Sequence, residues 1–347
     1  MQIRQAVVLI FALAMLAGCG RATVRPLTVV GWGGTSQDAH RRAYWTSFSK
    51  STGIPLREDT WNGGIGVLRA KAQGGDPGWD VIQVETEETI LGCEEGVFAP
   101  LDWKALGGRG AFLPITVQDC GVGAMVWSYL IGYDGNRFAD GPKTWADFWD
   151  VKKFPGKRGM RRTPKYTLEI ALMADGVPPS DVYRVLATPA GLDRAFHKLD
   201  QLKPYIVWWQ SVSQVPDLIA SGELAMSVTS PGRLLIANRT EGRNFKVVWD
   251  GNITAVDFWA VLKNSPREAD AMRLVEYMTR PENQIQLPKF IPTGLSNKKA
   301  IAQMTPAEIA DTPEDPRNMH GALTLDGNFW VENSDQLTQR FNAWLAK

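Results

Sequence analysis

Two stretches near the start of the chain, Leu27-Thr28-Val29-Val30-Gly31 and Trp79-Asp80-Val81-Ile82-Gln83-Val84, decide the fold class. Both are short apolar runs rich in β-branched residues, a composition typical of buried strands. Between them, residues 37–52 have the amphipathic pattern of a helix that ends at Gly53, and residues 54–60 form another short strand. Strands that alternate with helices at this spacing predict a parallel α/β sheet.

The same alternation continues towards the C-terminus. Helices are predicted at 66–72, 86–93, 272–280 and 336–347, strands at 123–133, 247–250 and 257–262, and a further α/β series at 145–149, 156–160, 167–174 and 181–202. Chain crossings near 128–133 and 250–257 would join two α/β lobes. We therefore predict one lobe from residues 27–130 and 253–295 and a second from residues 131–252 and 296–347.

The N-terminus has the pattern of a secretory signal. Arg4 precedes an apolar run over residues 6–17, which is shorter than the roughly 20 residues that span a bilayer. The run closes on Leu16-Ala17-Gly18-Cys19, which resembles the bacterial lipobox. This resemblance implies removal of residues 1–18, lipidation of Cys19 and a short tether over residues 19–26. We expect an exported lipoprotein, periplasmic or otherwise extracytoplasmic, that contacts the membrane only through its lipid.

Composition excludes several classes of function. Lys and Arg total 38 and Asp and Glu total 37, so no nucleic-acid or anionic-membrane partner is indicated. The three histidines are isolated, and no zinc, redox, serine-hydrolase or nucleotide-phosphate motif occurs. We expect no cofactor, no metal and no enzymatic activity.

Two cysteines remain for folding once Cys19 is assigned to the lipid. In an oxidising compartment, Cys93 and Cys120 are expected to form one disulfide. They lie 27 positions apart, so the chain-entropy model gives about 3 to 4 kcal/mol of stabilisation.

Several motifs occur in order along the mature chain. They are Gly53-Ile54, Trp61-Asn-Gly-Gly-Ile-Gly66, Trp79-Asp-Val-Ile82, Cys93-Glu-Glu-Gly96, Asp119-Cys-Gly-Val-Gly123, Val126-Trp-Ser128, Thr144-Trp-Ala-Asp-Phe-Trp149, Lys203-Pro204, Val207-Trp-Trp209, Ser230-Pro-Gly-Arg233, Asp257-Phe-Trp259 and Ile291-Pro-Thr293. Together they resemble the polyamine-type (spermidine/putrescine) solute-binding proteins of ABC importers. The resemblance implies a type II-like periplasmic-binding-protein fold with the ligand between two lobes. It also implies a monomer that delivers a small amine-bearing solute to the transmembrane subunits of an ABC permease.

The resemblance places Asp257 where polyamine binders receive an ammonium group. Arg233, in a predicted turn 24 residues earlier, offers a planar guanidinium suited to a carboxylate. Trp32 and Trp61 follow strands and are expected at the carboxyl edge of the sheet, where α/β proteins bind ligands. Weaker candidates for ligand contact are Glu85, Thr86, Tyr166, Ser128 and Ser230. Of Trp208 and Trp209, at most one can face the cleft, because adjacent strand residues point to opposite sides.

The chain departs from the polyamine pattern at two places. Polyamine binders have acidic residues where this chain has Arg161-Arg162-Thr163-Pro164-Lys165-Tyr166, and a Trp where it has Ala255. A positive lining would repel a di- or tricationic ligand. One carboxylate and one guanidinium suit a zwitterion, so an ω-amino acid such as 4-aminobutyrate is the favoured ligand, with a polyamine as the other aminated solute.

Other functions stay open at this stage. A sugar-binding lipoprotein would use the Trp side chains without the Arg–Asp pair. An exported glycoside hydrolase would need two convergent carboxylates, and the sequence identifies no such pair. Ferric-iron binding usually relies on paired tyrosines, and the sequence has no Tyr-Tyr pair. Transport and ligand sensing cannot be separated from these residues.

Overall fold

A computed structural model describes residues 25–347 of the chain. The predicted signal peptide, Cys19 and most of the tether lie outside the described residues. Within the described part, no helix is both long and apolar enough to cross a membrane.

The described residues form one mixed sheet of ten strands. The strands are β1 (Leu27–Gly31), β2 (Leu56–Thr60), β3 (Val81–Glu85), β4 (Val117–Gln118), β5 (Gly121–Asp134), β6 (Lys157–Arg161), β7 (Ile206–Trp209), β8 (Leu224–Thr229), β9 (Phe245–Val261) and β10 (Leu323–Thr324). Their main order is β2-β1-β3-β9-β5-β8-β6-β7. Parallel strands β1–β3 therefore lie at one end and parallel strands β6–β8 at the other, joined by the antiparallel pair β5 and β9.

Helices flank the sheet. They are α1 (Gly34–His40), α2 (Thr46–Thr52), α3 (Ile65–Ala72), α4 (Thr86–Glu94), α5 (Trp145–Trp149), α6 (Thr167–Ala174), α7 (Val182–Leu186), α8 (Pro189–Leu202), α9 (Val215–Ala220), α10 (Pro231–Glu241), α11 (Glu268–Thr279), α12 (Pro281–Gln284), α13 (Lys298–Ile301), α14 (Pro306–Ile309) and α15 (Gly327–Leu345). Below, the "first half" means β1–β3 with α1–α4, and the "second half" means β6–β8 with α5–α10. The division of the chain into lobes at particular residues stays a prediction.

The two strands predicted at 247–250 and 257–262 are one strand, β9, of 17 residues. Asp250-Gly251-Asn252 has the composition of a turn, and Gly251 has a positive φ of 71°. On the partner strand β5, however, the register moves from Tyr129↔Ile253 directly to Ile131↔Val248. The extra residues are absorbed as a bulge, which bends the long strand without ending it.

Several predicted segments differ in their bounds. The helix predicted at 37–52 begins at Gly34, and residues Arg41–Trp45 form a π-helical turn between α1 and α2. The segment 181–202 contains two helices, because the Thr188 side chain caps α8 and Pro189 occupies its first position. The C-terminal helix begins nine residues before the predicted start, where the Asp326 side chain accepts a hydrogen bond from the Phe329 N–H.

The sequence analysis missed the strand β8. Its six residues are all buried between β5 and β6. The signal was a short apolar run after Gly222, although periodicity alone does not separate such a run from a buried helical segment. The predicted disulfide is present: Cys93 at the end of α4 bonds to Cys120 just before β5, with 5.5 Å between their Cα atoms.

Candidate ligand-binding site

A cavity of about 90 Å³ lies between the two halves, at the carboxyl ends of their parallel strands. This is the edge at which open α/β sheets bind ligands. Lining residues that end or follow these strands are Trp32 after β1, Trp61 after β2, Glu85 at the end of β3, Arg161 at the end of β6, Trp209 at the end of β7 and Ser230 after β8.

Asp257 is a buried carboxyl group in the wall of the cavity. It lies in the middle of β9 and is 2% exposed. Its Oδ2 accepts hydrogen bonds from Trp32 Nε1 and Gln83 Nε2, both at 2.9 Å, and its Oδ1 accepts one from Trp127 Nε1 at 2.8 Å. Burial, followed by the nearby Glu85 charge, raises the pKa of Asp257 well above its usual value. Three neutral donors orient this carboxylate, and no cation among the described residues pairs with it within 4.0 Å.

Arg233 is a buried cation that lines the same cavity. It lies in the first turn of α10, so the predicted turn is the start of a helix, with Ser230 at the N-cap position and Pro231 at the first helical position. The side chain donates one hydrogen bond, from Nη1 to Thr35 Oγ1 at 3.3 Å. No carboxylate of residues 25–347 lies within salt-bridge distance, and burial lowers the pKa of Arg233. Gly34 allows this approach, because a Cβ there would lie 2.8 Å from Arg233 Nη1.

Glu85 is a second carboxylate in the cavity wall, and it is fully paired. Its Oε1 accepts from Arg161 Nη1 at 2.9 Å, and its Oε2 accepts from Tyr166 Oη at 2.7 Å and from Lys165 Nζ. Lys165 also contacts Glu87. Burial opposes ionisation of Glu85, but the Lys165 and Arg161 charges outweigh it and lower the pKa to about 2. This cluster joins the first half to the second across the cavity.

Aromatic side chains form most of the remaining wall. Met125, Trp127 and Tyr129 face the cavity from β5, as residues at i, i+2 and i+4 of a strand do. Trp32 and Trp61 stack with ring centroids 5.2 Å apart. The indole N–H groups of the four lining Trp residues all bond within the protein: Trp32 and Trp127 to Asp257, Trp61 to the Gln83 carbonyl and Trp209 to Ser227. A ligand therefore meets ring carbon on these walls, and charge on Asp257 and Arg233.

The structure brings six of the nine predicted site residues to the cavity. These are Trp32, Trp61, Glu85, Ser230, Arg233 and Asp257. Their contact with a ligand stays a prediction.

Thr86, Ser128 and Tyr166 do not line the cavity. Thr86 opens α4 and its hydroxyl lies 3.4 Å from the Val256 carbonyl, on another face. Ser128 is fully buried against Thr254 on β9. Tyr166 is buried and its hydroxyl bonds to Glu85, so it lies one contact further from the cavity.

The predicted positive lining is also corrected. Of the segment from Arg161 to Tyr166, only Arg161 reaches the cavity. Its charge and that of Lys165 are matched by Glu85 and Glu87. Of the cations that line the cavity, Arg233 is the one that has no carboxylate partner among the described residues.

Trp209 lines the cavity, whereas Trp208 packs on Phe341 and Trp344 of α15. The sequence analysis predicted that at most one of the two faces the cleft, and the structure agrees. The sequence analysis did not identify Gln83, Trp127 and Tyr129 as residues of the site. The alternation within residues 123–133 could have indicated Trp127 and Tyr129 as one face of a strand, but the cavity-facing side was not visible locally.

Comparison with known protein families assigns the chain to a family. The model of the family described as bacterial extracellular solute-binding protein matches residues 43–317. The chain is a bacterial extracellular solute-binding protein. A γ-aminobutyric acid-binding protein of Pseudomonas aeruginosa is 40% identical to this binding protein over 338 residues, which cover 97% of this chain and 96% of the relative. The Escherichia coli spermidine/putrescine-binding periplasmic protein is 22% identical over 276 residues, 76% of either chain.

Solved structures with a similar fold are also binding proteins. The periplasmic binding protein MotA of A. tumefaciens B6, in complex with glucopine, has a TM-score of 0.86 and 31% identity, over 92% of this binding protein and all of MotA. The Atu4243–GABA receptor has a TM-score of 0.82 and 31% identity, over 93% and 98% of the two chains. The predicted fold and the resemblance to the polyamine-type binders are confirmed. This exported protein binds a small solute, works with an ABC transporter and belongs to a family of binding proteins, not enzymes.

Proposed function

We propose that this binding protein captures an ω-amino acid such as 4-aminobutyrate. Asp257 receives the ammonium group and Arg233 receives the carboxylate. The observation that carries the proposal is that one buried carboxyl group and one buried guanidinium line the same cavity, and neither has a charge partner among residues 25–347. The names of the P. aeruginosa relative and of one structural neighbour refer to the same ligand.

The physical reason is the cost of unpaired charge. A charge taken out of water is unfavourable unless it is paired and hydrogen-bonded. Asp257 Oδ1 has one bonding partner and retains acceptor capacity, and the Arg233 guanidinium retains most of its donors. A zwitterion supplies both missing partners in one step, and its own net charge of zero matches the two opposite charges that it neutralises.

Other ligand classes fit less well. A polyamine would place one ammonium at Asp257 and bring a second towards Arg233, with repulsion between like charges. An uncharged sugar would leave both charges unpaired. The aromatic walls suit the methylene chain of an ω-amino acid, since they expose ring carbon and no free indole N–H.

Closure of the two halves completes the site. Arg233 of the second half contacts Thr35 of the first, and Arg161 of the second contacts Glu85 of the first. We assign the halves to lobes of residues 27–130 with 253–295 and of residues 131–252 with 296–347. The ligand drives closure because it contacts both lobes in the closed state and can contact only one in an open state.

We also propose that the mature protein is a monomer anchored by a lipid on Cys19, and that it delivers its ligand to the permease subunits of an ABC importer. The lipobox-like sequence before Cys19 supports the anchor. Expression of the full chain and of Cys19→Ala, followed by membrane fractionation, tests it. The parent protein should sediment with membranes until detergent is added, and Cys19→Ala should not. Equal sedimentation of the two would contradict lipid anchoring.

The ligand is tested by thermal unfolding and calorimetry of the lipid-free mature protein. A ligand that binds only the folded state raises the free energy of unfolding by about 2.7 kcal/mol at 100 times its Kd. The panel is 4-aminobutyrate, putrescine, spermidine, maltose, and the two half-ligands butyrate and butylamine. We expect a clear shift with 4-aminobutyrate and small shifts with the half-ligands. A shift with putrescine or maltose, without one for 4-aminobutyrate, would refute the proposal.

A further inference from the structure

Glu85 has no role in the pairing of a simple ω-amino acid, although it forms part of the cavity wall. It lies directly opposite Asp257 in the antiparallel register of β3 and β9. Residues paired in this way project side chains on the same face of the sheet. If Asp257 binds the ammonium group of a ligand, the ligand carbon that bears this group therefore lies beside both Asp257 and Glu85.

Glu85 also cancels the charge of a cation that lines the cavity. Arg161 lines the cavity, but its Nη1 is bonded to Glu85 Oε1 at 2.9 Å. Lys165, the other cation of the cluster, contacts Glu85 and Glu87. Two carboxylates, Glu85 and Glu87, therefore match the two cations of the cluster, and neither cation is left free at the cavity wall.

We propose that Glu85 is the specificity-determining residue that excludes α-amino acids and so restricts the site to ω-amino acids. The inference rests on the proposed function. An α-amino acid carries a carboxylate on the same carbon as its ammonium group. That carboxylate would enter beside Glu85 and Asp257, with no unmatched cation to receive it. L-Glutamate is the matched case, because it is 4-aminobutyrate with a carboxylate on the amine-bearing carbon.

The first test uses the unmodified protein and three ligands measured by calorimetry. These are 4-aminobutyrate, L-glutamate and the α-amide of L-glutamate, which has nearly the size of glutamate but no charge at the added group. Like charges placed together strongly disfavour binding, so the amide should bind at least about tenfold more tightly than glutamate. Equal exclusion of the amide and glutamate would mean that space, not charge, is responsible, and would overturn the proposal.

The second test changes Glu85 itself. In Glu85→Gln the charge of Arg161 is left without its carboxylate partner in the cavity wall, and the ratio of glutamate affinity to 4-aminobutyrate affinity should rise roughly 100-fold. Glu85→Asp keeps the charge and should keep the selectivity. Glu87→Gln removes the other partner of Lys165 but leaves the Glu85–Arg161 pair, so it should bring no gain in glutamate binding.

The outcomes separate this inference from the proposed function. If the unmodified protein does not bind 4-aminobutyrate, the proposed function is wrong. If it binds 4-aminobutyrate and Glu85→Gln folds without a change in the affinity ratio, only the role of Glu85 is wrong. Should Glu85→Gln fail to fold, the comparison of glutamate with its α-amide in the unmodified protein still tests the inference, because equal exclusion of the two would overturn it.

Discussion

Replacement of Asp257 by Asn is the most direct test of the site. The two side chains have nearly the same size, so the change removes the negative charge and leaves the cavity shape intact. The carboxylate is 2% exposed and has no cation within salt-bridge range among the described residues. The ammonium group of the ligand would be its charge partner, and removing one partner of a buried pair costs about 3–5 kcal/mol.

That free energy converts to a loss of affinity for 4-aminobutyrate of between roughly 100-fold and 4,000-fold, at tenfold for each 1.4 kcal/mol. Butyrate, which lacks the amine, should bind Asp257→Asn as well as or better than the unmodified protein, because it no longer leaves an unpaired carboxylate. Isothermal calorimetry with both ligands measures the two effects separately. A loss below tenfold for 4-aminobutyrate, or an equal loss for butyrate, would refute the assignment of the ammonium to Asp257.

The variant must also remain folded. An Asn carbonyl can accept from two of the three N–H groups that contact Asp257, and one unsatisfied donor costs about 1–3 kcal/mol. Removal of a carboxyl group whose ionised form is disfavoured by burial offsets part of this cost. Asp80→Asn is the matched control, since Asp80 is fully buried just before β3 but bonds to Arg25 at 2.6 Å, away from the cavity. It should lower the free energy of unfolding in urea and leave the ligand Kd unchanged.

Three further changes have defined outcomes. Arg233→Met should weaken 4-aminobutyrate binding by about 3–5 kcal/mol and improve putrescine binding, because it removes both the partner of the ligand carboxylate and the cation that repels a second ammonium group. Calorimetry with both ligands measures the two effects, and a loss of affinity for both ligands would contradict the assignment. The double change Cys93→Ser and Cys120→Ser opens a loop with a separation of 27 residues, so urea unfolding should show a loss of about 3.5 kcal/mol with little change in Kd. Glu169, buried and bonded to Trp330 and Tyr183, has a pKa raised by burial to about 7. Its raised pKa means that the folded state holds the proton more tightly, so its contribution to stability is present at low pH and is lost as pH rises through about 7. The free energy of unfolding of Glu169→Gln should therefore equal that of the unmodified protein below pH 4.5 and exceed it by about 3 kcal/mol at pH 8. Urea unfolding at both pH values measures this difference. An equal pH dependence of the two proteins would show that Glu169 does not titrate in this range.

Much of the local structure follows from sequence patterns. The strand Leu27–Gly31 has the predicted bounds, the segment predicted at 167–174 has the bounds of α6, and Gly53 ends α2 with a φ of 72°. Each depends on a pattern of neighbouring side chains or on one residue with special backbone freedom. The single strand β9 could not be predicted in this way, because its continuity past Gly251 comes from pairing with β5.

The sequence by itself determined the residue types of the site: Asp257 and Arg233 were selected from motifs, and Trp32 and Trp61 from their positions after strands. The tertiary structure alone decided which charges are free. Arg161 and Lys165 are matched by carboxylates more than 70 positions away, whereas Arg233 and Asp257 are not matched among the described residues. The net charge that a ligand meets depends on distances between side chains, since Coulomb interactions in a poorly solvated site change steeply over a few ångströms. Those distances are set by the register of strands and the packing of the two halves, and no local pattern in the chain contains them.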